Sequence, residues 1–123
     1  MAGLRFTING AVCHAVLRDD PLTERIVAMC PFELDYARGG DHEYYASLPQ
    51  KTTAEGGCPF TTVGKRNALY YFEGWNALSL VFKDCETAPY EIHHAGDFEE
   101  DVSAVLERAD RHLHIICELE EGD

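Results

Sequence analysis

Leu4, Phe6 and Ile8 alternate with Arg5 and Thr7, the period-two pattern of a strand with one buried face. After the turn dipeptide Asn9-Gly10, Val12, His14 and Val16 form a second alternating run, so the chain opens with a predicted β-hairpin. Asp19-Asp20-Pro21 supplies an N-cap followed by proline in the first turn. Leu22, Ile26, Val27 and Cys30 then recur at helical spacing until Pro31, which predicts a helix over 21–29.

Arg38-Gly39-Gly40-Asp41 is turn chemistry, and the aromatic-rich run from His42 to Leu48, ended by Pro49, reads as a short strand. Residues 50–62, with Thr52, Thr53, Gly56, Gly57 and Pro59, read as one long irregular loop. Ala68 to Phe72 and Ala77 to Phe82 are apolar runs separated by Glu73-Gly74-Trp75-Asn76, the pattern of adjacent strands joined by a tight turn. Residues 84–89 form another loop. Asp97-Phe98-Glu99-Glu100 offers an acidic first turn, and Phe98, Val102, Val105, Leu106 and Ala109 mark one face of a second helix. Leu113, Ile115 and Cys117 alternate with His112, His114 and Ile116 in a closing strand before the acidic tail Glu118 to Asp123.

The order is therefore strands, helix, strands, helix, strand, without repeats. Helices this few and this unevenly placed do not suit a doubly wound parallel sheet; a largely antiparallel sheet closed into a barrel, with helices over its ends, fits better. At 123 residues the expectation is a single domain over 1–123, large enough for one hydrophobic core.

Composition narrows the function. Twenty-two acidic side chains against ten basic ones give a formal charge of -12, which repels phosphate backbones and anionic lipid surfaces. Only Lys65-Arg66 places two basic residues side by side. Nucleic-acid and membrane partners are not expected. The five cysteines are irregularly spaced without a C-x-x-C pair. With no secretory leader and no apolar run of ~18 residues, they point to a reduced, cytoplasmic setting.

The central residues carry a resemblance. Gly40-Asp41-His42-Glu43-Tyr44-Tyr45-Ala46-Ser47-Leu48-Pro49, then Val63-Gly64, then the run from Leu69-Tyr70-Tyr71-Phe72-Glu73-Gly74-Trp75-Asn76 through Lys83-Asp84, resemble the small prokaryotic cyclophilin-like proteins. The likeness departs at Lys65, where those proteins carry an acidic residue, and the stretch from Lys65 to Ala68 is slightly longer. It implies a mainly β, α+β fold: a closed cyclophilin-like barrel of about eight strands with a packed interior and two capping helices. A site on such a barrel lies on an outer face or under a loop.

Prolyl isomerisation in that fold class needs an arginine aimed at the prolyl amide. Here the corresponding strand reads Glu43-Tyr44-Tyr45-Ala46-Ser47, and no arginine lies between Arg38 and Arg66. Catalysis is therefore not expected from the fold alone. The remaining enzymatic route is Arg38 or Arg66 swinging over the same face. The candidate binding residues are Tyr45, Tyr70, Phe72 and Trp75 as the aromatic floor of a shallow cleft, with Glu43 and Asn76 as polar contacts to a small molecule or peptide. The same aromatics also suit barrel packing alone. His93-His94 with His112 and His114 invites a metal reading, but adjacent strand residues face opposite ways and no third ligand follows at suitable spacing. Cys13-His14 is separated by the same alternation, and Cys13 and Cys117 read as buried thiols. No cofactor is implied, and the sequence sets no oligomeric state.

Overall fold

The computed structural model describes residues 3–57 and 60–120. Met1-Ala2, Cys58-Pro59 in the predicted 50–62 loop, and the tail beyond Glu120 lie outside the described residues. The elements are β1 (Gly3–Ile8), β2 (Ala11–Leu17), α1 (Pro21–Val27), β3 (Phe32–Gly39), β4 (Glu43–Ser47), β5 (Phe60–Thr61), β6 (Val63–Gly64) and β7 (Ala68–Phe72). A 3-10 turn over Glu73–Trp75 follows, then β8 (Ala77–Val81), β9 (Cys85–Glu86), β10 (Ile92–Phe98), α2 (Ser103–Leu106) and β11 (His112–Leu119).

Eight strands close into an antiparallel barrel in the order β2, β1, β11, β3, β4, β8, β7, β10, with β10 returning to β2. Closure runs through Gly96 opposite Leu17, Asp97 opposite Val16 and Phe98 opposite Ala15. It depends on Gly96, because a Cβ there would stand 2.5 Å from the Val16 carbonyl oxygen. Phe6, Tyr36, Tyr44, Tyr71 and Leu80 are fully buried and fill the interior. α1 packs on this core through Leu22 and Ile26. Its start is the one expected from Asp20: the Asp20 carboxylate accepts from the Thr23 amide at 2.9 Å, and the Thr23 hydroxyl accepts from the Asp20 amide at 3.2 Å.

The opening hairpin forms, with Asn9 and Gly10 both at positive φ. On β2, however, the buried set is Cys13, Ala15 and Leu17, while Val12, His14 and Val16 face outward. The turn decides this. Two central residues place Ile8 opposite Ala11 and Phe6 opposite Cys13, and directly opposed residues share a face. The sequence contained that signal in the length of the turn.

Two strands lie outside the expected elements. β3 alternates Phe32, Leu34 and Tyr36 with Glu33 and Asp35, a period-two pattern open to the same reading as β1. β10 carries His93, His94 and Asp97 and shows no continuous apolar face. The second helix is also shorter than its apolar spacing predicts. Asp97 and Phe98 end β10, where the Phe98 amide donates to the Asn67 carbonyl at 3.0 Å and its ring meets Phe6 at 5.4 Å. α2 is a single turn in which Leu106 is buried, preceded by buried Val102. Among the described residues no helix is long and apolar enough to cross a membrane.

Candidate functional site: a trough on the outer face of the barrel

β4, β8 and β7 lie side by side, and their register builds the site. Tyr45 stands opposite Ser79 and Ser79 opposite Tyr70; one row away Glu43, Val81 and Ala68 align; on the other side Ser47, Ala77 and Phe72 align. Alternation sends these residues outward while Tyr44, Leu78, Leu80, Leu69 and Tyr71 enter the core. The central strand therefore presents only Ala77, Ser79 and Val81 between the larger side chains of its neighbours. Small residues flanked by large ones make a trough.

Two connections wall it. The turn after β7 lifts Trp75 over one end, where its ring lies 5.5 Å from Tyr45 and 5.4 Å from Phe72, the latter edge to face. Gly74 permits this turn, since a Cβ there would stand 2.8 Å from the Phe72 ring. On the other side, β9 pairs with β6 and sends residues 85–90 across the outer face. A Cβ on Gly64 would stand 2.8 Å from the Cys85 sulfur, so the close approach of these short strands also rests on a glycine. Tyr90 then meets Phe72 edge to face at 5.8 Å. The resulting cleft encloses about 370 Å³, within the range of about 300–1,000 Å³ common for small-molecule sites. Trp75 and Tyr90 are 62% and 63% exposed at its mouth.

Polar groups converge on the trough floor. One Glu43 carboxylate oxygen accepts from the Ser79 hydroxyl, and the other lies 3.0 Å from His42 Nε2. In this chain of groups the carboxylate stands in the middle. The serine is paired with glutamate rather than imidazole, so the three groups do not follow the serine-histidine-acid order of a hydrolase triad. Tyr70 oxygen accepts from the Lys65 amide at 2.8 Å, and burial pushes its phenol up. Burial, reinforced by the charge of Glu43, also pushes the Cys85 thiol up. A thiol held protonated is a poor nucleophile.

Five of the six residues singled out in the sequence thus line one cleft: Glu43, Tyr45, Tyr70, Phe72 and Trp75. Asn76 does not. It adopts the left-handed conformation at φ 49° and turns its carboxamide to the loop before β5, donating to the Gln50 carbonyl at 2.9 Å and accepting from the Thr52 amide at 3.0 Å. Sequence reasoning missed Tyr90, Cys85 and Ile92 because they come from a loop and from a strand without an apolar pattern.

Neither arginine reaches the cleft. Arg38 is drawn to the barrel end, donating to the Tyr44 hydroxyl at 3.0 Å and the Leu106 carbonyl at 3.1 Å, with its guanidinium 5.0 Å from the Phe82 ring centre. Arg66 pairs with Asp101 at 2.6 Å. The two histidine pairs also lie apart: β10 adjoins β2, β5 and β7, whereas β11 adjoins β1 and β3. Cys13 and Cys117 are buried, as expected of structural thiols.

Known proteins share this fold. The model of the cyclophilin-like family matches residues 6–116. Among solved structures, a hypothetical protein from Archaeoglobus fulgidus, determined in solution, superposes with a TM-score of 0.71 at 18% identity, covering 97% of this chain and 95% of that one. No curated protein matches. A closed eight-stranded barrel, with a family model spanning nearly all of it, places this chain in the cyclophilin-like family.

Proposed function

We propose that the protein is a non-catalytic binding module that holds a small ligand, or the side chain of an extended peptide, in the trough over β4, β8 and β7. The observation that carries this reading is the convergence of Glu43, Tyr45, Tyr70, Phe72 and Trp75 on one cleft whose floor is made of small residues. Aromatic walls around a few oriented polar groups are the usual construction of a ligand site. Packing alone leaves Trp75 unexplained: more than half of its surface is open to solvent at the mouth.

Against catalysis, among the described residues the lining contains neither lysine nor arginine, Ser79 is bonded to a carboxylate and not to an imidazole, and the Cys85 thiol is held protonated. Arg38 and Arg66 are engaged elsewhere. A reducing, cytoplasmic setting agrees with the four free thiols among the described residues, Cys13, Cys30, Cys85 and Cys117.

Trp75 is the sole tryptophan, so intrinsic fluorescence reports on the cleft directly. Screening a metabolite and peptide library should yield members that shift this emission saturably, with the shift lost in Phe72→Ala while far-UV circular dichroism stays unchanged. A library without effect, or shifts indifferent to Phe72→Ala, would overturn the binding reading. A protease-coupled assay on a proline tetrapeptide should show no acceleration. Acceleration that Arg38→Ala or Arg66→Ala removes would establish an isomerase instead.

A further inference from the structure

The cleft is aromatic and acidic at once. Its rings come from Tyr45, Tyr70, Phe72, Trp75 and Tyr90, and its charged side chains are Glu43 and Glu86, with His42 as the one further ionisable nitrogen base. Phe72 meets Trp75 at 78° and Tyr90 at 77°. Rings set at right angles form corners, and a group lodged in such a corner faces the π-cloud of at least one ring. The negative face of an aromatic ring attracts a cation within about 6 Å of its centre.

Glu43 adds a counter-charge. Its carboxylate is only about one-quarter exposed, and it accepts from Ser79 and approaches His42. A carboxylate offers about four lone-pair positions, so acceptor capacity remains on a charge held at the trough floor. Glu86 uses its carboxylate to accept from the Ala88 amide of its own turn at 3.3 Å, which fixes a second negative group at the rim. With a formal charge of -12 over the chain, the surrounding field also favours cations and repels anions.

We infer that the cleft selects a small organic cation carrying an alkylated ammonium group, seated among Tyr45, Phe72, Trp75 and Tyr90 with Glu43 as counter-charge. Alkyl substituents suit the apolar walls and spread the positive charge over methyl groups that no hydrogen bond has to satisfy. Anionic metabolites, phosphates and carboxylates above all, would meet two carboxylates and neither lysine nor arginine among the described lining residues.

This inference rests on the reading of the cleft as a binding site, and its test separates the two. Trp75 fluorescence is titrated at pH 8 with choline and with its neutral isostere 3,3-dimethylbutanol, using sodium chloride at equal ionic strength as control. Choline should quench or shift the emission saturably and bind at least roughly tenfold more tightly than the isostere. Glu43→Gln, which keeps an oxygen for Ser79 but loses the charge, should weaken choline by a similar factor and leave the isostere unchanged. Equal or tighter binding of the isostere would overturn cation selection while leaving the cleft a binding site. Absence of any choline effect up to about 50 mM would also overturn it, and the library screen would then decide the broader reading alone. Should Glu43→Gln fail to fold, the two probes on the unmodified protein still separate selection by charge from selection by shape.

Discussion

The Tyr71 hydroxyl, at the end of an otherwise buried core side chain, donates to the carboxamide oxygen of Asn76 at 2.8 Å. That single bond ties the barrel interior to the turn that raises Trp75. The same carboxamide accepts from Thr52 and donates to Gln50, so one side chain joins β7, the turn and the long loop. Asn76 is therefore a structural residue beside the cleft.

Replacing Asn76 tests this. Asn76→Ala loses three hydrogen bonds and places a less tolerant residue in the left-handed region, which should cost about 2 kcal/mol in urea unfolding. Asn76→Gly keeps the conformational freedom and should cost less. Both should alter Trp75 emission in the native state, because the turn loses its anchor. Unchanged stability and emission in Asn76→Ala would refute the assignment.

Gly96→Ala addresses barrel closure. The added methyl carbon would meet the Val16 carbonyl oxygen at 2.5 Å and Leu17 Cδ2 at 2.9 Å, and backbone cannot yield as a side-chain tip does. Destabilisation of about 3 kcal/mol is expected from such overpacking, read as a lower urea midpoint. Protection of the β2 and β10 amides in hydrogen exchange should fall most. A neutral substitution would mean that β10 and β2 are not in register at this point.

Tyr36 makes the opposite prediction. Its phenol is fully buried and its hydroxyl has no hydrogen-bond partner among the described residues. Burial pushes its pKa well up, so the group stays neutral. A buried unsatisfied hydroxyl costs about 1–3 kcal/mol, so Tyr36→Phe, which keeps the ring, should be neutral or stabilise by about 1 kcal/mol. Clear destabilisation would show that the hydroxyl is satisfied in solution.

His114 on β11 supplies a pH prediction. Asp35 and Glu33 on the adjacent β3 lie 2.8 and 3.0 Å from its two ring nitrogens, and hydrogen bonds to these carboxylates raise its pKa above the usual value near 6.5. A pKa raised by folding means that the protonated imidazole favours the native state. Its contribution is complete below the unfolded-state value and disappears as pH rises through the higher folded-state value. Proton NMR titration should place His114 above an ordinary histidine, with Asp35→Asn and Glu33→Gln each lowering it. The ring is exposed, so screening keeps the effect on stability small. An unperturbed titration would dismiss the pairing.

Much of the barrel was legible from short-range pattern. Leu4, Phe6 and Ile8 in β1, and Leu113, Ile115 and Cys117 in β11, alternate because each strand has one face in the core and one in water. Asp20 and Pro21 announce α1 because an N-terminus must satisfy free amides locally. β3 was legible by the same rule, since Phe32, Leu34 and Tyr36 alternate with Glu33 and Asp35, although it falls outside the expected elements, between the first helix and the Arg38-Gly39 turn. β10 was hidden: His94 and Asp97 face outward, a register shift between His94 and Gly96 breaks its period of two, and its partners are distant in sequence. α2 was overextended because Phe98 has helical spacing to Val102, yet its backbone bonds to Asn67.

The sequence by itself determined the barrel's alternating strands, its first helix, its acidic charge and the aromatic stock of residues 43–75, since these follow from local periodicity and composition. Only the tertiary structure decided that Ala77, Ser79 and Val81 form a floor between β4 and β7, that Tyr90 and Cys85 join the wall, and that Asn76 and Arg38 turn away. Strand register and the path of a loop across a sheet depend on contacts between residues far apart in the chain, and nearest-neighbour pattern carries no record of them.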